Sequence, residues 1–579
     1  MSLLAELKRR NVVRVCLAYV VIGWVLAQIA EFAFENFGAP DWALKTFIVL
    51  LLLGLPLALI FAWAFELTPE GLKREHEVDR DRSITHKTGR NLDYIIIGVL
   101  TMAVVWFAAE KFVFTAEEST TATDKIDHDK SIAVLPFVNM SDDPANEYFS
   151  EGISEELLNL LAKIPELRVI GRTSSFQFKG KQEDLRLIGQ KLGVANILEG
   201  SVRKSGNTVR VSAQLVATTD GTQLWSDTFD RDLENIFATQ DEIANSVVAT
   251  LKVKLLGHAR PPRNAPLVTE AYDRYLKGLY FFRRSTPADL ERALSLFAQA
   301  VVLDAELAPA WEKMGSVYLN QTLGGTLPLA RGRSLSKEAL ERALELDPAL
   351  ADGHVQTGFL ELAFDWDWSA AKVALNRALE IEPGHAGALS TSGLLALAMG
   401  HLTDAIDFEK RSLKVDPLRF ASRHNLALVY YRAGQNELAL REFQWALEMA
   451  PDYERGHYYP SIVLLEQEKL EAALAEAKLE KVEQWRQAAF AVIYHALGRD
   501  DESGTALSNL TSGFADNAAI VIAQAHAYRS EIDQAFAWLD RAFEQHEPLV
   551  PFVKTDPLLN NLRSDPRFAD FLERLDLAD

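Results

Sequence analysis

Cysteine is almost absent from this sequence. Cys16 is the only one among 579 residues. One thiol cannot form a disulfide within a single chain, and it cannot build a cysteine-based zinc site. The lack of thiols after residue 16 suits an oxidising compartment such as the bacterial periplasm.

Positive charge is also scarce. Lys and Arg number 60 against 81 Asp and Glu, which makes the formal net charge -21. Nucleic-acid binding normally needs clustered Lys and Arg, so we expect no nucleic-acid partner. The acidic balance favours solubility and basic or neutral partners.

Motifs of the common catalytic and cofactor sites are missing too. The sequence contains no GxxxxGKS/T, HExxH or GxSxG pattern and no kinase or cyclase signature. The acids Asp142, Asp143, Glu147 and Glu151 lack the spacing of a calcium loop, and we interpret them as solvated loop and helix-start charges. We therefore predict no catalytic residue, no metal ligand, no cofactor and no enzymatic activity.

Long apolar runs occur only within residues 1–115. Three of them, at about 15–34, 44–65 and 94–112, reach the roughly 20 residues that a helix needs to cross a bilayer core. No small-residue cleavage site follows the first run, and further runs do, which disfavours a removable signal peptide. The sequence predicts an anchor of three transmembrane helices in the lipid bilayer.

The charges around these runs predict their orientation. Basic residues precede the first run, six more lie in the segment 66–93, and the residues after the third run are acidic. Basic flanks stay in the cytoplasm. We predict a bacterial inner-membrane protein with a cytoplasmic amino terminus and with the chain from about residue 115 in the periplasm. Whether 66–93 also binds a signalling partner is left open, because acids balance its basic residues.

A polar linker, 116–130, leads into a region of mixed patterns. Buried or alternating runs predict strands at 131–137, 167–170, 195–204, 207–216 and 222–229. Helical spacing predicts helices at 154–164, 184–192 and 235–256. Ser154 is the expected cap of the first helix, and Ser205 with Gly206 indicates a hairpin. The order β-α-β-α-β-β-β-α predicts a small α/β domain over residues 131–258.

This region also resembles a known family. Residues 131–180 and 192–230 are similar to the amino-terminal domain of TolB and the related FlgO-type periplasmic domains; they read SIAVLPFVNMSDDPANEYFSEGISEELLNLLAKIPELRVIGRTSSFQFKG and LGVANILEGSVRKSGNTVRVSAQLVATTDGTQLWSDTFD. The preceding AWAFELTPEGLKRE resembles a membrane anchor found before such domains. The resemblance implies a non-catalytic protein-interaction or envelope module.

From about residue 266 the sequence repeats. Pro348, Pro383, Pro417 and Pro451 are spaced by 35, 34 and 34 residues, and similar phrases such as ALERALELDP and ALNRALEIEP precede them. Each proline ends a helix because it cannot continue one. The period of about 34 residues is that of the tetratricopeptide (TPR) repeat, a pair of antiparallel helices. We predict an all-α TPR solenoid over 266–579 that ends in a capping segment.

Stacked TPR pairs curve around an inner groove lined by their first helices. Six residues are predicted by their repeat positions to face that groove and to contact a partner: Glu312, Asn320, His424, Tyr431, Arg455 and Tyr458. The alternative is that each is an ordinary exposed or packing residue. Other proteins or peptides are the expected partners, and homo-oligomerisation is left open.

These patterns predict a multidomain protein with N-terminal transmembrane helices, a small α/β TolB-like domain and an all-α TPR solenoid. The expected function is that of a non-catalytic periplasmic scaffold or adaptor, anchored in the inner membrane, that binds proteins through its groove and its TolB-like domain. The alternatives are a transmembrane signal transducer or sensor, or a regulatory subunit of an envelope enzyme or secretion complex.

Overall fold

The structure, a computed structural model, describes two parts of the chain to different extents. It describes positions 19, 51, 54, 65–68 and 71–74, and then 130–578 apart from 165, 182, 233–235, 252–267 and 452. The chain forms two compact units, Met1–Asp124 and Lys125–Asp579. Almost all of the predicted linker and of the three predicted membrane spans lies outside the described residues.

Two features are described in the first unit. Tyr19 and Leu51 are helical, and the Tyr19 hydroxyl donates a hydrogen bond to the Leu51 carbonyl at 2.8 Å. Further on, β1 (Phe65–Thr68) pairs antiparallel with β2 (Gly71–Arg74). Phe65, predicted to end the second span, therefore begins a strand, as the β-favouring Phe and Thr of FELT allow. Among the described residues, no helix has both the length and the apolar character that crossing a bilayer requires.

A six-stranded sheet forms the base of the α/β region in the second unit. Its strands are β3 (Ser131–Val134), β4 (Val138–Asn139), β5 (Arg168–Val169), β6 (Asn196–Ser205), β7 (Thr208–Ala217) and β8 (Gln223–Asp232). Their order is β5-β3-β6-β7-β8, with β4 also paired to β6. The pairs of β3 and β4 are parallel, and β6, β7 and β8 form an antiparallel meander.

The predicted hairpin between β6 and β7 is confirmed. Ser205 pairs with Thr208, so the two turn residues are Gly206 and Asn207. Gly206 has a φ of 60°, a left-handed conformation that glycine adopts without steric cost.

The helices of the α/β region are α1 (Glu147–Ala162), α2 (Arg172–Ser175), α3 (Leu185–Leu192) and α4 (Ile236–Thr250). The predicted start of α1 was wrong, because the helix begins at Glu147 rather than at Ser154. Ser150, Gly152 and Ser154 are weak helix formers, but tertiary contacts use their small size. A side chain at Gly152 would clash with Leu276. The hydroxyl of Ser154 accepts a hydrogen bond from the Phe137 amide at 2.8 Å.

The rest of the second unit is an array of antiparallel helix pairs, eight of them in the described residues. They are α5 (Thr269–Phe282) with α6 (Pro287–Leu303), α7 (Ala308–Leu323) with α8 (Leu329–Leu346), α9 (Ala351–Leu360) with α10 (Trp368–Ile381), α11 (Ala386–Ala398) with α12 (Leu402–Val415), α13 (Phe420–Arg432) with α14 (Asn436–Met449), α15 (Tyr458–Glu466) with α16 (Leu470–Ala477), α17 (Glu483–Ala496) with α18 (Asp500–Phe514), and α19 (Ala519–Tyr528) with α20 (Ile532–Glu544). Each pair packs on the next. The predicted TPR region is confirmed by this arrangement.

The α/β region and the first repeats share one hydrophobic core. Phe149 and Val247 from the α/β region belong to the same buried cluster as Tyr272 and Phe297 from the first pair. A second cluster extends from Leu319 to Leu577. The α/β region is therefore packed against the repeats and is not a separate module on a flexible tether.

The chain ends in a segment, residues 549–578, that we call the tail. It contains two 3-10 helices, Val550–Thr555 and Pro557–Leu562, followed by α21 (Pro566–Arg574). The 3-10 helices contact the first helices α11 and α19. The indole N–H of Trp368 donates to the Leu575 carbonyl at 2.8 Å. The tail therefore runs back along the inner face of the array, beyond the capping position at the end of the last pair.

Candidate functional site

The α/β region contacts the repeats far from the point where the chain joins them. The Gly171 amide donates to the Val415 carbonyl at 3.0 Å. The Ser174 amide donates to Asp416 at 2.9 Å, and the Leu418 amide donates to the Ser174 hydroxyl at 2.7 Å. Asp416 is only 2% exposed. Since these repeat residues follow the fourth pair, the α/β region reaches across from the first pair to the fourth.

A buried ionic cluster holds the other end of this contact. Glu151 on α1 lies 3.4 Å from Arg283 at the end of the first repeat helix and also pairs with Lys179. Arg172 pairs with Glu155 at 3.1 Å. Burial lowers the pKa of both Arg172 and Arg283 to about 10, which leaves them charged at neutral pH. Glu151 was interpreted as a solvated charge, and that interpretation was wrong because α1 presents it to the repeats.

The described part of the chain contains no candidate metal site. No three His, Cys, Asp or Glu side chains there are arranged to hold a metal ion.

A polar anchor fixes the tail to the inner face. The Asp556 carboxylate lies 2.8 Å from the Arg432 guanidinium, and both side chains are buried. Gln524 donates to the same carboxylate at 2.6 Å, and the Leu558 amide donates to it at 3.0 Å. Charge-assisted bonds of this kind are stronger than neutral ones, and they are strongest where water is excluded. The tail is therefore held by a specific buried contact as well as by apolar packing.

Two of the six predicted groove residues lie beneath the tail. Tyr431 and Tyr458 are 3% and 4% exposed, and they line a small cavity of about 10 Å³ together with Asp556 and Leu558. Burial raises the pKa of both hydroxyls well above the ordinary value. The Tyr431 hydroxyl has no hydrogen-bond partner among the described residues. A partner could reach these two side chains only if the tail moved.

The other four predicted groove residues lie in different surroundings. Glu312 is buried, accepts a hydrogen bond from Ser316 at 2.7 Å and lies 2.8 Å from Lys313. Asn320 is exposed. Arg455 lies over the Trp485 ring at 5.1 Å. The structure therefore does not gather the six into one surface, and their contact with a partner stays a prediction.

His424 is enclosed by aromatic rings. Its ring centroid lies 5.6 Å from those of Phe443, Tyr453 and Tyr459. Burial, together with the positive charge of Arg455, lowers its pKa to about 3. His424 is therefore neutral in the folded protein at neutral pH.

Because folded His424 stays neutral, we predict that the protein loses stability as the pH falls. An unfolded histidine takes up a proton below about pH 6.5, whereas the folded one does not until about pH 3. The unfolded state binds more protons in this window, so stability falls as the pH falls, by up to about 1.4 kcal/mol per pH unit. Urea unfolding at several pH values should show a steeper acid loss for the wild type than for His424→Phe. Parallel pH profiles would contradict this assignment.

Glu409 is a buried acid that the sequence patterns did not single out. It is 0% exposed on α12 and accepts a hydrogen bond from the Ser390 hydroxyl at 3.0 Å. Burial raises its pKa well above the usual range. In the second helices of the neighbouring pairs, the residue three positions before the small packing residue is apolar: it is Leu375 before Ala378 and Phe443 before Ala446. Glu409 occupies the same position before Ser412, so the sequence alone shows that this acid departs from the apolar pattern.

A cleft of about 770 Å³ opens beside the third and fourth pairs. The helix α9 continues into a π-helical turn, Glu361–Asp365, and ends at Trp366 with a φ of 55°. This left-handed conformation is an outlier for a bulky residue, and π turns recur at functional sites. The Trp366 ring stacks on His546 at 4.5 Å between centroids, which fixes one wall of the cleft.

The cleft has an apolar floor and a predominantly acidic rim. Trp368, Leu375 and Leu395 are buried in the floor. The charged residues that line the cleft are four acids, one lysine and one histidine: Asp365, Asp367, Asp404, Asp576, Lys372 and His401. A volume of this size falls within the roughly 300–1,000 Å³ of ligand sites in general. The cleft is therefore a candidate binding site formed by the described residues.

Comparison of the sequence with known proteins gives one partial relative. No family model matches the sequence. A stretch of 243 residues is 36% identical to "Putative adenylate cyclase 3" of Rhizobium meliloti strain 1021. The match covers 41% of this chain and 40% of that protein. The chain thus spans less than half the length of this relative.

Comparison of the fold with solved structures finds helical-repeat proteins. PilF of Pseudomonas aeruginosa is 17% identical, with 36% of this chain and 93% of that chain covered and a TM-score of 0.30. A tetratricopeptide repeat protein of Parabacteroides merdae is 15% identical, with 42% and 94% covered and a TM-score of 0.32. The thermophilic TPR protein TTC0263 of Thermus thermophilus is 18% identical, with 34% and 99% covered and a TM-score of 0.29. The TPR assignment itself comes from the eight helix pairs and their spacing.

Proposed function

We propose that this chain is a non-catalytic scaffold, anchored in the bacterial inner membrane and facing the periplasm, that binds other proteins through its TPR solenoid. The observation that carries the proposal is the solenoid itself, a continuous stack of helix pairs with an open cleft about 770 Å³ in volume. Such stacks present extended surfaces for other chains. The three apolar runs and the charges that flank them support the anchor and its orientation.

The packing of the α/β region and the tail narrows the choice of binding surface. The α/β region covers the loop at Asp416, and the tail covers Tyr431 and Tyr458. The similarity to TolB-type domains supports an additional protein contact on the α/β region. The scaffold therefore binds through the surfaces that remain open, which include Asn320 and the rim of the cleft at His401.

Site-specific photocrosslinking in intact cells tests this function. A photoreactive residue placed at Asn320 or His401 is expected to capture discrete proteins. A matched probe at Val302, which is 84% exposed on a second helix, should capture little. Equal capture at all three positions, or none, would contradict the scaffold. Capture at Tyr431 would show that a partner displaces the tail.

A second candidate is a signalling role, as a transmembrane transducer or a regulatory subunit. The observation in its favour is the partial match to a protein whose name denotes a cyclase. In this case the segment 66–93 would bind a cytoplasmic partner. A pull-down from the cytoplasmic fraction with a peptide of that sequence, and with a scrambled control, distinguishes the two functions. A partner specific to the native peptide favours signalling.

A further inference from the structure

The cleft of about 770 Å³ between the third and fourth pairs indicates the chemistry of the partner that it binds. This inference rests on the proposed scaffold function. We propose that the cleft binds an extended segment of a partner protein in which Lys or Arg alternates with aliphatic residues. Three properties support this occupant: the unbalanced charge of the rim, the apolar floor and the extent of the cleft over three helices and the tail.

The charge of the rim is unbalanced because only one of its four acids, Asp365, has a cationic partner among the described residues. Asp365 pairs with Lys337 at 3.3 Å and also with Arg333. Asp367 is used as the cap of α10, where it accepts from the Ala370 amide at 2.8 Å. Asp404 and Asp576, by contrast, make no ion pair with any described residue. Two free carboxylates against one lysine favour a cationic ligand.

The floor selects aliphatic groups between the charges. Leu375, Leu395 and Ala396 are each at most 8% exposed, and Met399 and Phe408 are half-buried beside them. A ligand that covers apolar area removes it from water, which stabilises the complex. Purely hydrophilic cations would leave this floor uncovered. A chain that alternates cationic and aliphatic side chains presents one kind to the rim and the other to the floor.

The extent of the cleft favours a peptide over a small organic cation. Its acids and its apolar residues are spread over α10, α11, α12 and the tail, so one occupant must reach several of these elements at once. The wall is also preformed, because the rings of Phe543 and His546 hold Trp366 in place.

Fluorescence anisotropy with the purified full-length chain in detergent tests the proposal. The probe is a fluorescein-labelled octapeptide that alternates Leu and Lys, and the negative probe alternates Leu and Glu. The double variant Asp404→Asn with Asp576→Asn is expected to bind the Lys peptide about fivefold more weakly. The matched double variant Asp407→Asn with Asp570→Asn removes the same charge on α12 and α21 outside the cleft, and it should bind as the wild type does.

A variant that is expected to bind the Lys peptide more tightly separates a specific effect from misfolding, because misfolding would weaken binding. Lys372→Gln removes the only lysine among the described residues of the rim and should tighten binding about twofold. Equal weakening by both double variants would show attraction to the acidic surface in general and would overturn the proposal, as would absence of binding. Failure here with discrete crosslinks at Asn320, which lies outside the cleft, would leave the scaffold function standing and place its partner contact elsewhere.

Discussion

Replacing Asp556 with asparagine is expected to lower the free energy of unfolding by about 3–5 kcal/mol, because removing one partner of a buried ion pair leaves the other charge uncompensated. The charge left behind is that of Arg432, 2.8 Å away in the native protein. Asparagine keeps the size of the side chain and an oxygen for the Leu558 amide, and it removes the charge together with the oxygen that accepts from Gln524. Urea unfolding of the full-length chain in detergent measures the loss.

Two further variants control this prediction. Combining Asp556→Asn with Arg432→Met removes both charges and should recover more than half of the loss, since buried pairs are often replaceable by apolar side chains. Asp565→Asn removes a charge at a helix cap on the same tail, where Asp565 accepts from the Arg567 amide at 3.0 Å, and should cost little because asparagine caps a helix about as well as aspartate. A similar small loss for Asp556→Asn would mean that the tail is not anchored by Arg432.

Replacing Asp416 with alanine is expected to cost about 3 kcal/mol and to loosen the α/β region from the repeats. The variant leaves the Ser174 amide, which donates to Asp416 at 2.9 Å, without a partner at a buried position. Hydrogen bonds to charged groups contribute about 1.5–3 kcal/mol each, and an unsatisfied buried donor adds its desolvation cost. Protease digestion should cleave the α/β region faster in the variant, and urea unfolding should show the loss.

The matched control for this variant is Asp347→Ala. Asp347 occupies the equivalent position after the second pair, but its carboxylate accepts only a local bond from the Ala349 amide at 3.0 Å. The control should cost about 1 kcal/mol and leave the protease resistance of the α/β region unchanged. Equal effects of the two variants would show that Asp416 acts as a local cap and does not hold the α/β region.

Local patterns predicted the repeats and the hairpin but not the contacts between distant segments. The proline spacing locates the helix pairs, and Gly206 marks the hairpin turn, because both signals lie within a few residues of the structure they determine. The contact between Ser174 and Asp416 joins residues 242 positions apart. Trp368 and Leu575 are 207 positions apart. No periodicity records which of these residues meet.

The candidate site was harder to predict than the fold for the same reason. The repeat register assigned Tyr431 and Tyr458 to the inner face, which is where the tail lies, but it carried no information on what covers that face. The cleft depends on Asp576 from the tail and on a π turn at Glu361–Asp365, and neither follows from helical periodicity. The predicted cap of α1 failed because small residues serve tertiary packing there.

Hydrogen exchange of the tail in the full-length protein tests the central claim, that the inner face of the later repeats is closed by the chain itself and that binding uses the surfaces left open. The Phe552 and Asp556 amides donate to the Leu549 and Val553 carbonyls at 3.1 and 3.2 Å in a buried segment. The account predicts that these amides exchange as slowly as those of the first helices they contact, because opening them requires disruption of the core. Exchange as fast as that of exposed loops would show that the groove is open and would contradict the account.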